Sequence, residues 1–293
     1  MELKRYKQFL NKKVVTVMQN NVDIFINAFS DFDIYPPSQE YKIIGSEGTE
    51  YKDKYIDVIY EKDDKFLPLQ PIICEFTRLY WVYKNWELKD YIGFCQYRRY
   101  FSFFDKVPNM NEIFKEYDII TAIPTELAWD ITTHYSKCHN IKDLECLNEV
   151  LKEIADEHTN EQWKIFIENK IFFTNNMFIM KKEEFIKYMQ FMVPIVDAYI
   201  AKRGWNTYED VIKEVENHKD EYLKLAPPNN TVEYQSRILA YLIERLTSFY
   251  IMCMFKNPKT YGIKLTEKKY LQAQREFYLN YFKDKFKEAA HIK

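Results

Sequence analysis

The sequence predicts an α/β layered domain, and three observations carry that prediction. Short apolar runs rich in Ile, Val and Phe alternate with segments whose apolar residues recur at helical spacing. The runs are near-continuously apolar, as strands covered on both faces must be. No internal repeat or low-complexity segment competes with that reading.

In chain order, Val14–Met18 and Asp23–Phe29 read as strands, or as one strand with a break. Asp31–Lys65 reads as polar loop, containing Pro36-Pro37, Gly45 and Gly48. Glu75–Trp86 places Phe76, Leu79, Tyr80, Tyr83 and Trp86 at helical spacing. Tyr91–Cys95 is a buried strand that ends abruptly in Gln96-Tyr97-Arg98-Arg99-Tyr100-Phe101. Tyr117–Ile123 is another, stopped by Pro124. Asn140–Ile154 is helical through Leu144, Leu147, Leu151 and Ile154. Phe172–Met180 reads as a strand with Asn175-Asn176 at its centre. A helix follows from Lys181 to about Ile200, with Pro194 as a kink point. The polar stretch Arg203–Asn230 reads as an insertion, and Gln235–Phe255 as a long helix. Glu244 and Arg245 interrupt its apolar character, so it fits a core better than a membrane.

The chain thus divides into a domain over 1–255 and a tail over 256–293. The tail holds ten cations against four acids, a charge of +6, leaving −8 for the rest. Its Phe277, Tyr278, Tyr281, Phe282 and Phe286 recur at helical spacing beside Lys283, Lys285 and Lys287. Such a basic amphipathic helix suits either docking on the core or peripheral contact with a membrane.

With 293 residues, 47% of them hydrophobic, the chain has ample material for a core, which excludes disorder. A formal charge of −2 argues against a nucleic-acid partner. Five cysteines with no CxxC pair, and no apolar segment after Met1, point to a reduced, cytoplasmic protein. Only five glycines are present, and neither GxGxxG nor GxxxxGK can be written, so nucleotide phosphates would have to be held by side chains or a metal.

Arg98 and Arg99, directly after a buried strand, are the best phosphate candidates, because ligands bind beyond strand carboxyl ends and guanidinium forks suit a diphosphate. Salt bridges to Glu75 or Glu87 are the structural alternative. Asp31-Phe32-Asp33 has the form of a carboxylate pair for a divalent cation, manganese or magnesium, though such tripeptides arise often by chance. His134, Cys138 and His139 lack the second ligand pair of a zinc site, so the histidines are candidates for hydroxyl contacts or general-base work. Asp143 suits either helix capping or catalysis. Asn175 and Asn176 either brace a loop or face ligand hydroxyls. Glu244 and Arg245 suit either an internal ion pair or a base and a binding cation.

The blocks Cys74-Glu75-Phe76-Thr77-Arg78-Leu79-Tyr80-Trp81-Val82-Tyr83-Lys84-Asn85-Trp86 and Asp90-Tyr91-Ile92-Gly93-Phe94-Cys95-Gln96-Tyr97-Arg98-Arg99-Tyr100-Phe101 resemble the bacterial capsular and exopolysaccharide biosynthesis glycosyltransferases, a galactofuranosyltransferase-like family. Tyr117–Ile120, His139 with Asp143-Leu144, Asn176–Lys181 and Tyr241–Leu246 continue the match in order. Gln96 replaces the usual His, and Asn27-Ala28-Phe29-Ser30 stands where a THK-like element is expected. The resemblance implies a GT-A-like, Rossmann-type mixed sheet flanked by helices, with a helical C-terminal part. It implies transfer of galactose or galactofuranose from a UDP-sugar to a glycan or lipid-linked oligosaccharide at the inner face of the cytoplasmic membrane. Under it, Asp143, Glu244 or His139 is the base for an inverting displacement. Arg98, Arg99, Arg78, Gln96 and Glu75 belong to the donor site, and Asn175, Asn176, His134 and Arg245 to the sugar and acceptor site. The alternative class is a non-catalytic glycan-binding or scaffold subunit.

Overall fold

A computed structural model describes residues 21–32, 36–46, 49–51, 58–62, 65–223 and 230–265. The strand expected at Val14–Met18, Asp33 of the carboxylate pair and the tail helix around Phe277–Phe286 lie outside the described residues.

The architecture is a mixed sheet flanked by helices. Its main path contains β1 (Val22–Ala28), β2 (Tyr41–Ser46), β3 (Val58–Glu61), β4 (Tyr91–Gln96), β6 (Ile119–Ala122), β9 (Phe178–Lys181) and β10 (Pro258–Tyr261), in the spatial order β10-β6-β9-β4-β1-β2-β3. β1 runs parallel to β2 and β4, β2 to β3, and β10 to β6; β9 is antiparallel to both β4 and β6. A tight turn at Tyr97-Arg98 folds β5 (Arg99–Phe101) back so that Arg99 faces Gln96, and β11 (Ile263–Leu265) pairs with β5. The sheet therefore continues past residue 255. A separate ribbon joins β7 (Thr125–Glu126) to β8 (Ile171–Phe172).

The apolar runs dictate the central strands. Every residue of β1 and of β4 is buried. Phe25, Ile92 and Phe94 face a core shared with the helices, whereas Ile24, Ile26 and Cys95 face a second core on the other side. The helices are α1 (Phe76–Asn85), α2 (Ile131–Cys138), α3 (Ile141–Ile154), α4 (Glu157–Ile167), α5 (Lys182–Arg203), α6 (Tyr208–Asn217) and α7 (Ile238–Met254). Asn140 caps α3 by accepting from the Lys142 amide at 3.2 Å. Gly204 ends α5 in the left-handed conformation, φ 68°, which favours glycine. Pro194 lies within that continuous helix.

Two sequence expectations need correcting, and the proposed insertion has structure of its own. Asp31–Lys65 is not all loop: it carries β2 and β3, whose alternation is masked by Lys42, Gly45 and Tyr60. Phe172–Met180 is not one strand, because Asn175 and Asn176 both have positive φ, 70° and 49°, and turn the chain between β8 and β9. The stretch after Arg203 holds α6, started by a reciprocal Thr207–Asp210 capping box.

Gly93 sets the closest approach in the sheet. A Cβ there would sit 2.7 Å from Ile179 Cγ1 and 3.3 Å from the Phe178 carbonyl oxygen. Gly93→Ala is expected to destabilise the fold by about 1–3 kcal/mol, the usual cost of overpacking, measured by urea unfolding.

Candidate active site

The winding of the sheet reverses at β1: β2 and β3 lie on one side of it, β4 on the other. In an open α/β sheet the carboxyl ends at such a point leave a crevice between the diverging connections. Here Phe29 follows β1, and Gln96-Tyr97-Arg98-Arg99 follows β4. All five line a cavity of about 410 Å³, with Cys74, Glu75 and Arg237 on its other walls. Gln70 and Pro71 complete it.

The paired arginines thus stand where the sequence placed them, at the carboxyl edge and in a cleft. Both are partly buried, and the Arg98 guanidinium lies 4.6 Å from the Tyr97 ring centre. Arg237, just before α7, adds a third cation and donates from Nε to Cys74 Sγ at 3.3 Å. Burial pushes the Cys74 thiol up to about 11, so it stays protonated at neutral pH. Cys74 has φ 52°, a strained value for a side-chain-bearing residue, and it breaks the chain just ahead of α1.

Arg99 also lines a second cavity, of about 650 Å³. Because β9 runs opposite to β4 and β6, its leading loop comes to the same edge, bringing Thr174 and Asn175 to this cavity. α2 contributes His134, Lys137 and Cys138, followed by His139, and α7 contributes Tyr241, Glu244 and Arg245. Glu244 accepts from the Asn175 backbone amide, while Gln96 Nε2 donates to the Asn175 carbonyl at 3.0 Å. The Asn175 loop is thereby clamped between β4 and α7. Burial raises the Glu244 pKa, against the Asn175 amide and the nearby Arg245 and Arg99. Burial holds His139 well below the ordinary histidine range, and His134 is lowered by burial and by Arg245. His139 stacks on Tyr241 with ring centres 3.8 Å apart.

Glu244 and Arg245 do not pair with each other. Glu244 turns to Asn175, whereas Arg245 donates from Nη1 to the Tyr241 carbonyl at 2.7 Å and has Nη2 3.3 Å from His134 Nδ1. Asn176 lines neither cavity; it is buried, and its Oδ1 has no hydrogen-bond partner.

Two expected site residues are elsewhere. Arg78 is fully buried in α1: its Nη2 donates to Ser46 Oγ at 2.8 Å, its Nε lies 3.5 Å from Glu61 Oε1, and its guanidinium covers the Phe29 ring at 3.8 Å. It braces the wall of the first cavity from behind. Asp143 lines neither cavity. It sits in the first turn of α3, where Arg203 Nη1 donates to it at 3.1 Å and the Tyr222 hydroxyl at 2.8 Å. Burial lifts its pKa to about 7 despite those donors. Arg203 also binds Glu214 and lies over the Trp205 ring, so this cluster joins α3, α5 and α6.

Arg237, Tyr241 and Lys137 were not singled out from sequence. A signal existed for the first two: Arg237, Tyr241, Glu244 and Arg245 repeat at i, i+4, i+7 and i+8, a polar stripe along an otherwise apolar helix. Asp31 is described but its partner Asp33 is not, and the described residues hold no group of three or more His, Cys, Asp or Glu arranged for a metal. No helix among the described residues is long and apolar enough to cross a membrane.

The molecule is thus a mixed-sheet α/β protein with an arginine-bordered cleft at its switch point. The model of the family described as Domain of unknown function (DUF4422) matches residues 64–225, and this chain belongs to that family. The matched segment contains the whole YIGFCQYRRYF block. No curated protein matches the chain. Among solved structures, the apo form of WbbM, a bifunctional glycosyltransferase, is similar in fold, with a TM-score of 0.57 and 18% identity over 85% of this chain. The chain spans 46% of that structure's length.

Asp143→Ala is expected to cost about 1–3 kcal/mol in urea unfolding, because it leaves the Tyr222 hydroxyl without its acceptor and the partly buried Arg203 with Glu214 alone. At a temperature where the variant is folded, ligand affinity in either cavity should be unchanged; a selective loss of binding would restore Asp143 to the site.

Proposed function

We propose that this chain is a GT-A-type glycosyltransferase that moves a sugar from a UDP-sugar to a glycan hydroxyl in the synthesis of a capsular or other surface polysaccharide. The observation that carries the reading is the shared wall: Arg99 borders both the cation-lined cleft at the switch point and the cavity that holds Glu244. The family resemblance and the fold of the WbbM structure support it.

In this reading the first cavity takes the nucleotide diphosphate. Arg98, Arg99 and Arg237 neutralise charge that grows on the leaving phosphate, where many related enzymes use a divalent cation. Gln96 and Glu75 orient donor hydroxyls, and Arg78 acts through Phe29. The second cavity takes the sugar and the acceptor, with Asn175, His134, His139 and Arg245 as contacts and Asn176 beside them. The acceptor oxygen attacks the anomeric carbon, the bond from that carbon to the β-phosphate oxygen breaks, and its electron pair leaves with UDP. Glu244 takes the acceptor's proton. A raised pKa makes it a stronger base than an ordinary carboxylate, and the Asn175 amide fixes its orientation. The protein would work at the cytoplasmic membrane face, on a glycan or lipid-linked acceptor.

Calorimetric titration with UDP tests the donor site. Arg98→Ala and Arg99→Ala should each weaken UDP binding about 10–100-fold, the loss of a charge-assisted contact. Full affinity in both variants would remove the nucleotide from this cleft. Repeating the titration with manganese, magnesium or EDTA reports any cation requirement.

Glu244→Gln should retain UDP affinity and lose about 10²–10⁴-fold in turnover. The base must be ionised to act, so kcat/KM should rise with pH through an apparent pKa above the usual glutamate value. The variant should lack that rising limb.

A further inference from the structure

We propose that the second cavity binds a sugar bearing a small anionic group, a carboxylate or a phosphate, with Arg245 as its counter-charge. This rests on the transferase reading of the same site and names its substrate class.

Arg245 is 1% exposed, yet it lines the cavity. Its neighbours are unlike those of the buried Arg78 and the partly buried Arg203. Arg78 has Glu61, and Arg203 has Asp143 and Glu214. Among the described residues, no carboxylate lies within 4.0 Å of Arg245. Its guanidinium meets the Tyr241 carbonyl, an imidazole, and the rings of Tyr135 and Phe172 at 4.6 and 5.2 Å. Nε has no partner. A buried charge with no carboxylate in contact is costly, and burial depresses its pKa despite the neighbouring Glu244. A ligand anion entering this cavity would supply the missing charge.

The rest of the wall has the same sign. Arg99 and Lys137 are cations, and Lys137 is exposed, 4.7 Å from the Trp129 ring centre. Burial keeps His134 and His139 neutral, suited to hydroxyls. The opposing charge is Glu244, already engaged by Asn175. Three cations facing one occupied carboxylate favour an acidic sugar over a neutral one, and about 650 Å³ accommodates a hexose with its substituent.

The test is calorimetric binding of methyl galacturonide, a galactose phosphate and neutral methyl galactoside to the full chain. At least one anionic sugar should bind about tenfold or more tightly than the neutral one. Arg245→Gln should erase that preference. Lys137→Ala, a surface change that spares the fold, should cut it at least about threefold if its charge contributes the field described. Equal affinity for all three sugars overturns the proposal, as does a preference that survives either substitution. Carboxylate against phosphate is decided by which sugar binds. Comparing UDP-galacturonate with UDP-galactose assigns the anion to the donor if the former wins, and to the acceptor otherwise. UDP binding without acidic-sugar preference sinks this inference alone; the preference without UDP binding sinks the transferase reading instead.

Discussion

β1 and β4 are parallel neighbours buried on both faces, and that burial decides where polar chemistry can be placed. A strand covered on two sides offers no solvated face, so side chains that must meet water or a ligand are pushed to its end. Both strands end at the same edge because they are parallel, and the sheet winds away from them in opposite directions. The crevice left there receives Phe29 from one strand and Gln96–Arg99 from the other. Antiparallel β9 adds a third element by delivering its leading loop to that edge. Gly93 eases this: a side chain there would crowd Ile179 and the Phe178 carbonyl on β9, the strand whose leading loop meets Gln96.

Arginine does three different things in this molecule, and burial with partnership separates them. Arg78 is sealed with Glu61 and Ser46, a fixed post behind the cleft wall. Arg203 gathers Asp143, Glu214 and Tyr222 into a joint between helices. Arg98, Arg99, Arg237 and Arg245 instead border open space. A desolvated guanidinium next to a cavity is poised for an anion in a way that an exposed one, screened by water, is not. The same reasoning demotes Asp143, whose lone pairs already serve Arg203 and Tyr222.

Much of the fold was legible because the central strands are apolar without interruption and the helices keep their spacing: β1, β4 and β6, and helices α1, α3, α5 and α7, lie within a few residues of where the pattern puts them. β2 and β3 were hidden because they lie toward the sheet's edge, where Lys42 and Tyr60 are tolerated, and glycine in a strand reads as loop. The arginine pair was visible from its position after a strand. Arg237 showed only as part of a polar stripe and Lys137 not at all, since only folding brings α2 and α7 together around the second cavity. Asp143 misled for a related reason: a carboxylate in a first helical turn looks alike whether it faces a substrate or an arginine sixty residues away.

The consecutive left-handed residues Asn175 and Asn176 carry a consequence for how this site can vary. Asparagine tolerates that backbone region because its short amide can satisfy nearby groups, whereas branched side chains resist it. The bend between β8 and β9 and a stretch of cavity wall at Asn175 are therefore supplied by the same two letters of sequence. A substitution here changes side chain and chain geometry together, and the residues that fit both backbone positions without strain narrow to asparagine, aspartate and glycine. Variation in the lining of this cavity falls more easily on the surrounding helices, whose side chains change without bending the backbone.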